Sequence, residues 1–238
     1  MQLLAHMNLY SQYIGSWSYV HPDGREYVAV TTSAGTSIVR LTDPSNPVEV
    51  GFIPGPDNGI REVEPYQTYL YVVSRGANPS GIQVISMADP DHPALVNTVS
   101  AITGAENVTV DAARGYLYTT ETDPSAINRG IHIFSLADPA NPVRIGIYEA
   151  SDVHDITVKG TRGYACSIPD GKVHILDLSN PAIPVEIASF TSALAYTHSA
   201  WPTEDDQYLI VTDESIGGPS GGLNGRPSVY DIRNLSQI

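Results

Sequence analysis

The stretch GTSIVRLTDPSNPVEV at residues 35–50 decides the fold, because recognisable copies of it recur along the chain. Each copy holds two apolar runs joined by a turn rich in Asp, Asn and Pro. The prolines fix φ and withhold a donor, and the acidic or amide side chain can cap the local backbone. The other copies are GIQVISMADPDHPALV from Gly81, GIHIFSLADPANPVRI from Gly130, GKVHILDLSNPAIPVEI from Gly171 and the shorter PSVYDIRNLSQI from Pro227.

A second pair of short strands is predicted before each copy, with a tight turn between its members. The second member of each pair is rich in aromatic and β-branched residues, which favour strands. These members are YVAVTT from Tyr27, YLYVVS from Tyr69, YLYTTE from Tyr116, YACSI from Tyr164 and YLIVTDE from Tyr208. One period is therefore four strands in about 48 residues, the size of a propeller blade.

The two ends of the chain predict how the ring closes. The fifth copy stops at Ile238, where its outermost strand should begin, and the opening MQLLAHMNL resembles such a strand. The sequence thus predicts an all-β, five-bladed β-propeller of four-stranded antiparallel blades. It forms one domain over residues 1–238 and is closed by the N-terminal strand, which completes the last blade. The alternative is part of a larger propeller.

Charge excludes some partners. The chain has 26 acidic and 12 basic side chains and a formal net charge of −14, so its mean field repels phosphate backbones and we expect no nucleic-acid partner. No apolar run approaches the roughly 18 residues of a membrane helix, so we expect no membrane-spanning segment. The single cysteine, Cys166, lies in a predicted strand and is expected to pack as a small apolar side chain.

The repeat also resembles a known family. The unit HDITVKGTRGYACSIPDGKVHILDLSNPAIPVEI from His154 resembles the LVIVD repeat of bacterial and archaeal surface or secreted proteins. The order of blades, including YTHSAWPTEDDQYLIVTDE from Tyr196, is similar to that of the choice-of-anchor B proteins over essentially the whole chain. The resemblance implies an extracellular or cell-surface location, and it carries no agreed activity.

Candidate site residues lie where the innermost strand of each blade begins, because that end borders the face on which propellers usually bind ligands. Four of the five blades place a charged or imidazole group there. The predicted ligand-binding residues are Arg61, Glu62, Glu106, Asn107, His154, Asp155 and His198.

A divalent metal ion at the propeller axis is one hypothesis for these residues. Imidazole and carboxylate are suitable ligands for zinc or manganese, and the candidate ligands are His154, His198, Asp155 and Glu106. Arg61 argues against a cation and could instead clamp a carboxylate of a ligand. A bland alternative is that these groups satisfy one another around a wet channel.

Three long loops, which begin at Ser74, Glu121 and Asp213, are predicted to open on the same face. Asp213 and Glu214 could add carboxylates there. Trp17 and Trp201, in inner strands, are expected to seal blades together.

We therefore expect a binding or interaction module for a small molecule, a glycan or a protein. One alternative is a metal-dependent or carboxylate-based hydrolase that uses Asp155, Glu106 or Glu62 in the same mouth. A purely structural ring is the other.

Overall fold

The computed structural model describes residues 2–56, 59–75, 81–121, 129–149, 152–214 and 227–238. These residues form five antiparallel sheets, four with four strands and one with three, and a single 3₁₀ turn at Leu235–Gln237. The predicted all-β class with five blade-like sheets is confirmed. None of the described residues belongs to a helix long and apolar enough to cross a membrane.

The strands follow the predicted repeat in chain order. Blade 1 contains β1 (Tyr13–Val20), β2 (Glu26–Thr32), β3 (Gly35–Arg40) and β4 (Val48–Pro54). Blade 2 contains β5 (Ile60–Tyr66), β6 (Tyr69–Arg75), β7 (Ile82–Ser86) and β8 (Ala94–Val99). Blade 3 contains β9 (Ala105–Asp111), β10 (Tyr116–Glu121), β11 (Gly130–Ser135) and β12 (Val143–Glu149). Blade 4 contains β13 (Val153–Lys159), β14 (Arg162–Ser167), β15 (Lys172–Asp177) and β16 (Val185–Thr191). Blade 5 contains β17 (Thr197–Pro202), β18 (Tyr208–Asp213) and β19 (Pro227–Asp231).

The repeated acidic residue of each turn is used for turn geometry. Asp43 Oδ1 accepts a hydrogen bond from the backbone N–H of Ser45 at 2.9 Å, and the Asp43 carbonyl accepts one from Asn46 N–H. Asp138 repeats this arrangement with the N–H of Ala140 at 3.1 Å. These local bonds fix the reversal between the third and fourth strands of a blade.

The core lies between successive sheets. In each blade, three residues paired across the first, second and third strands face the next blade, and we call these three residues the forward row. The forward rows of blades 1 to 4 are Trp17–Ala29–Ile38, Glu64–Tyr71–Val84, Thr109–Tyr118–Ile133 and Thr157–Tyr164–Ile175. The second and third members of these rows are buried in apolar clusters shared with the following blade.

The N-terminal segment does not form the predicted closing strand. Residues 2–12 contain no strand, and the fifth sheet has three strands among the described residues. Instead, the Tyr10 ring stacks on Phe52 with centroids 5.1 Å apart, and its hydroxyl donates to Glu49 Oε1 at 2.5 Å. The physical reason is that the face of blade 1 turned away from blade 2 presents Val28 and Val39, and this apolar surface needs a cover.

Successive first strands pack together along the ring, β1 on β5, β5 on β9, β9 on β13 and β13 on β17. Strands β17 and β1 form no comparable contact. The structure therefore shows four inter-blade interfaces between five blades.

One forward row contains a carboxyl group. Glu64 occupies the position that threonine holds in blades 3 and 4, and its Oε2 accepts a hydrogen bond from Val110 N–H at 2.8 Å. Burial raises the pKa of the Glu64 carboxyl to about 8, although the hydrogen bond from Val110 acts in the opposite direction. The carboxyl is therefore largely protonated at neutral pH in the folded protein.

Replacement of Glu64 by Gln should remove a pH-dependent loss of stability. In the unfolded chain the carboxyl ionises near pH 4.5 and in the folded protein near pH 8, so its contribution to stability is complete below pH 4.5 and is lost as the pH rises through 8. Glu64→Gln should match the parent at pH 4.5 and exceed its unfolding free energy by about 5 kcal/mol at pH 9, since a pKa difference of one corresponds to about 1.4 kcal/mol. Urea denaturation at the two pH values measures this. Glu26→Gln, at an exposed position, is the control, and equal effects of the two substitutions would contradict the burial of Glu64.

Candidate functional site

Two imidazoles from neighbouring blades meet where the first strands begin. His154 is the second residue of β13, and His198 is the second residue of β17. Their ring centroids are 4.3 Å apart with a tilt of 55°. The structure thus brings together two residues that the alignment of the repeats placed at equivalent positions.

Glu106 connects His154 to a cation from another blade. Its Oε2 lies 3.3 Å from His154 Nδ1, and its Oε1 accepts a hydrogen bond from Arg75 Nη1 at 2.7 Å. Arg75 is the last residue of β6, and Glu106 and His154 are the second residues of β9 and β13. This Arg75–Glu106–His154 chain therefore joins blades 2, 3 and 4 through three ionisable side chains.

The surroundings give the two histidines different proton affinities. Burial alone would lower the pKa of His154, but the hydrogen bond and charge of Glu106 raise it above its usual value. Burial and the nearby charge of His154 both lower the pKa of His198. A proton is therefore held preferentially on His154, while neutral His198 has its Nδ1 3.0 Å from Ser199 Oγ.

The carboxyl of Glu106 is kept ionised by its partners. Burial on its own would raise its pKa, but the hydrogen bonds and charges of His154 and Arg75 bring the pKa below its usual value. The Arg75–Glu106–His154 chain thus holds a carboxylate between two cations when His154 is protonated.

Arg75, Glu106 and His154 border a cleft of about 420 Å³, which we call the His154 cleft, whereas His198 does not line it. Its walls combine ionisable side chains with a few apolar ones. They are formed by Ile60, Arg75, Glu106, Asp152, His154, Ile168, Pro169, Tyr196 and Glu214.

Asp155 and Glu62 form a second acidic pair that does not line this cleft. Burial raises the pKa of the Asp155 carboxyl to about 6, against the opposing effects of the His154 charge and a hydrogen bond with Ser199. Burial also raises the pKa of Glu62, and the negative charge of Asp155 adds to this. A Cβ on Gly15 would lie 3.0 Å from Glu62 Oε2, so the first strand of blade 1 packs closely on this carboxyl.

Arg61 and Asn107 have contacts elsewhere. Arg61 is fully buried, with its guanidinium donating to the carbonyls of Thr32 at 3.0 Å and of Pro56. Asn107 Oδ1 accepts a hydrogen bond from Thr109 Oγ1 at 3.2 Å. Arg61 holds the connection between blades 1 and 2, and neither residue borders the His154 cleft.

Asp213 stabilises a connection between blades. Its carboxylate accepts hydrogen bonds from the N–H groups of Leu194 at 3.2 Å and Tyr196 at 3.1 Å, and from Ser192 Oγ. Glu121 has the same role before blade 3, where its Oε2 accepts from Thr103 N–H at 2.6 Å. Of the two acidic residues predicted at the start of the longest loop, Glu214 borders the cleft and Asp213 is buried beneath it.

The three loops predicted to surround this face lie mostly outside the described residues, namely at 76–80, 122–128 and 215–226. Six of the nine cleft residues were not predicted as site residues, namely Ile60, Arg75, Asp152, Ile168, Pro169 and Tyr196. Arg75 is the second residue of the loop stretch that starts at Ser74, and Tyr196 precedes His198 by two positions. Arg75 and Tyr196 could have been predicted as site residues from their positions beside a strand end on the predicted face.

In the described parts of the chain, no three His, Cys, Asp or Glu side chains are grouped so that together they could hold a metal ion. The divalent metal stays a prediction. What the observed arrangement offers directly is a set of fixed donors and acceptors in a partly open cleft.

Comparison with known proteins places the fold. No family model and no curated protein matches the sequence. A functionally unknown protein from Desulfotomaculum acetoxidans has a TM-score of 0.71 at 14% identity, over 90% of this chain and 68% of that one. A putative 6-phosphogluconolactonase from Bacteroides uniformis has a TM-score of 0.64 at 14% identity, over 88% of this chain and 69% of that one. A chain of the nidogen/laminin complex has a TM-score of 0.58 at 14% identity, over 84% of this chain and 72% of that one.

These similarities are to propeller-like folds of several antiparallel sheets. Together with the five sheets described above, they support a β-propeller as the class of fold. At such low identity the likeness concerns the fold alone, and function has to be argued from the site.

The buried guanidinium of Arg61 can be tested as a structural group. Arg61→Lys should lower the free energy of unfolding by about 2 kcal/mol, because an ammonium cannot reach both carbonyls with the planar fork that arginine offers. Arg75→Lys, at a half-exposed position, should change it by less than about 0.5 kcal/mol. Urea denaturation of both variants measures the difference, and a harmless Arg61→Lys would contradict this assignment.

Proposed function

We propose that the protein is a ligand-binding module, that the His154 cleft is its binding site, and that its ligand is a hydroxyl-rich small molecule or glycan. The Arg75–Glu106–His154 chain carries this proposal. Three blades each contribute one ionisable side chain to it, and each of these side chains is at least partly withdrawn from water. Such groups are held in fixed positions at a cost in solvation, which is typical of binding sites.

The balance of charges favours a neutral ligand. Arg75 and protonated His154 are donors, whereas Glu106, Asp152 and Glu214 are acceptors. The acidic groups outnumber the basic ones, so a strongly anionic ligand would be repelled. A hydroxyl group both donates and accepts a hydrogen bond and therefore fits such a mixed wall.

The apolar part of the cleft suits the ring of a sugar. Tyr196, Ile168 and Pro169 border the same space as the charged groups. Aromatic and apolar side chains bury the C–H faces of a ligand, while a few polar groups fix its orientation. The same arrangement could bind a glycan that is attached to a protein.

Hydrolysis is the second candidate, favoured by the acidic pair. A carboxyl whose pKa lies at about 6, as for Asp155, can serve as a general acid near neutral pH. Glu62 or Glu106 would then be the second carboxylate. A divalent metal on His154, His198, Asp155 and Glu106 would assist hydrolysis in another way, by polarising the carbonyl of a lactone substrate. One of the similar folds is a putative 6-phosphogluconolactonase, so sugar lactones are reasonable substrates to test.

An extracellular or cell-surface location, and a single domain over residues 1–238, belong to the same proposal. Their support is the repeat and its resemblance to exported propellers. A glycan ligand would agree with that location.

Binding should be measured by isothermal titration calorimetry with glucose, galactose, mannose, N-acetylglucosamine and their short oligomers. At least one should bind, and His154→Gln or Glu106→Gln should weaken its affinity at least tenfold, since about 1.4 kcal/mol per lost interaction is enough for this. Affinity should also fall as the pH rises through the pKa of His154, because the protonated imidazole is the donor.

His174→Gln is the matched control. His174 also lies between two carboxylates, Asp170 and Glu186 at 3.1 Å each, but outside the cleft. It should leave affinity unchanged. Binding that is absent throughout, or that falls equally in His154→Gln and His174→Gln, would contradict the site. Turnover of a p-nitrophenyl glycoside or a sugar lactone that is lost in Asp155→Asn would favour the hydrolase instead.

A further inference from the structure

The forward row of blade 5 is exposed. Trp201 in β17 pairs with Ile210 in β18, which pairs with Val229 in β19, so the three side chains lie on the same face of the sheet. Their exposed fractions are 66%, 39% and 65%. Three large apolar side chains in a contiguous row are thus open to solvent at one end of the propeller.

The second and third positions of the row are interior in the other blades. In blade 4 the second and third members of the forward row, Tyr164 and Ile175, are almost completely buried against blade 5. The corresponding pairs in blades 1, 2 and 3 are buried in the same way against the blade that follows each of them. Blade 5 therefore keeps the apolar character of an inter-blade interface, although no sheet among the described residues packs against it.

The opposite face of blade 5 shows that this exposure is specific to one side. Ala200, Leu209 and Val211 face blade 4 and are buried in the cluster they share with it. The sheet is thus well packed on one face and uncovered on the other. Exposed apolar patches of this kind mark interaction surfaces in soluble proteins.

We propose that the forward row of blade 5 is a fifth inter-blade interface, and that its occupant is a further blade of the same repeat, supplied from outside residues 1–238. The repeat itself supports this occupant, because four interfaces in the structure already join such rows to the next sheet. In repeat proteins each unit buries its apolar face on a neighbour of the same kind.

Several similar structures contain chain beyond the part that this protein matches. The match covers 64–72% of the length of four of them. They therefore contain more chain than five blades of this size use.

A second copy of this chain, docked head to tail, is a poorer occupant. In a head-to-tail arrangement it would have to present the face of blade 1 that carries Val28 and Val39. That face is already covered by the chain's own N-terminal segment, through Tyr10 on Phe52 and Glu49. The N-terminal segment would have to leave this face of blade 1 before a second copy could dock.

The rim of the exposed row also fits an interface between sheets. On one side of the row lie Ser199 and Thr212, and on the other side Tyr208 lies beneath the guanidinium of Arg233, 5.7 Å from the ring centroid. Arg233 is paired with Asp231. An apolar centre with a polar rim is the usual organisation of a protein interface.

The experiment supplies a sixth blade covalently. A copy of residues 143–191 is appended after Ile238, because that stretch contains β12, the fourth strand of blade 3, followed by all of blade 4. The copy thus offers the missing fourth strand of blade 5 and a complete next blade. The sequence has two tryptophans, so Trp17→Phe and Trp201→Phe remove both, and Ile210→Trp places a single indole at the second position of the row, which is at most 1% exposed in the other four blades.

In the extended chain, emission of the indole at position 210 should move to the shorter wavelengths of a buried indole, and the midpoint of thermal unfolding should rise by about 5 °C. Val229→Lys should abolish both changes, because it places a charge in the interface. Ile183→Lys in the original blade 4, at an exposed turn position, is the matched control and should preserve both.

Two results would overturn the proposal. One is an extended chain in which the indole at position 210 keeps the emission of a water-exposed indole, whether or not the added segment forms strands. The other is an unextended chain that dimerises in light scattering and buries the indole at position 210 on dimerisation, with both effects lost in Val229→Lys, because the occupant would then be a second copy.

Discussion

The contact between the forward row of one blade and the next sheet is the interaction on which the structure depends. A single four-stranded sheet cannot bury both of its faces, so each blade needs a neighbour. The rows Tyr71–Val84 and Tyr118–Ile133 show the pattern, with an aromatic and a β-branched residue inserted between two sheets. This stacking fixes the spacing of the first strands. It also places the starts of those strands beside one another, which is what allows residues of blades 2, 3 and 4 to form one cleft.

The cleft shows how a structural repeat becomes a site. Glu106 and His154 occupy equivalent positions in consecutive blades, and the ring geometry brings equivalent positions within hydrogen-bonding distance. Other residues at the strand ends hold the blades in place. Arg61 donates to backbone carbonyls between blades 1 and 2, and Asp213 and Glu121 accept hydrogen bonds from the connections that precede blades 5 and 3. The same strand ends therefore supply both the ligand-facing groups and the groups that hold the blades in place.

Most of the fold could be predicted because its signals are local. The turn from Asp43 is specified by a few neighbouring residues, and the repeat of that turn gives the number of sheets. The N-terminal segment could not be placed in this way, since the packing of Tyr10 on Phe52 is a long-range choice between two apolar surfaces. For the site, strand alignment found His154 and Glu106. It could not show that Arg61 points into the interior while Arg75 reaches the cleft, because that depends on side-chain direction and on the contacts available to each guanidinium.

Amide hydrogen exchange followed by mass spectrometry tests most directly whether each blade depends on its neighbours. Blade 4 has a sheet packed on both faces, whereas blade 5 has a sheet on one face only. Local stability should follow that difference. The account predicts that the amides of β14 and β15 exchange much more slowly than those of β18 and β19. Equal protection of the two pairs of strands would contradict it, because the uncovered face of blade 5 would then cost the sheet nothing.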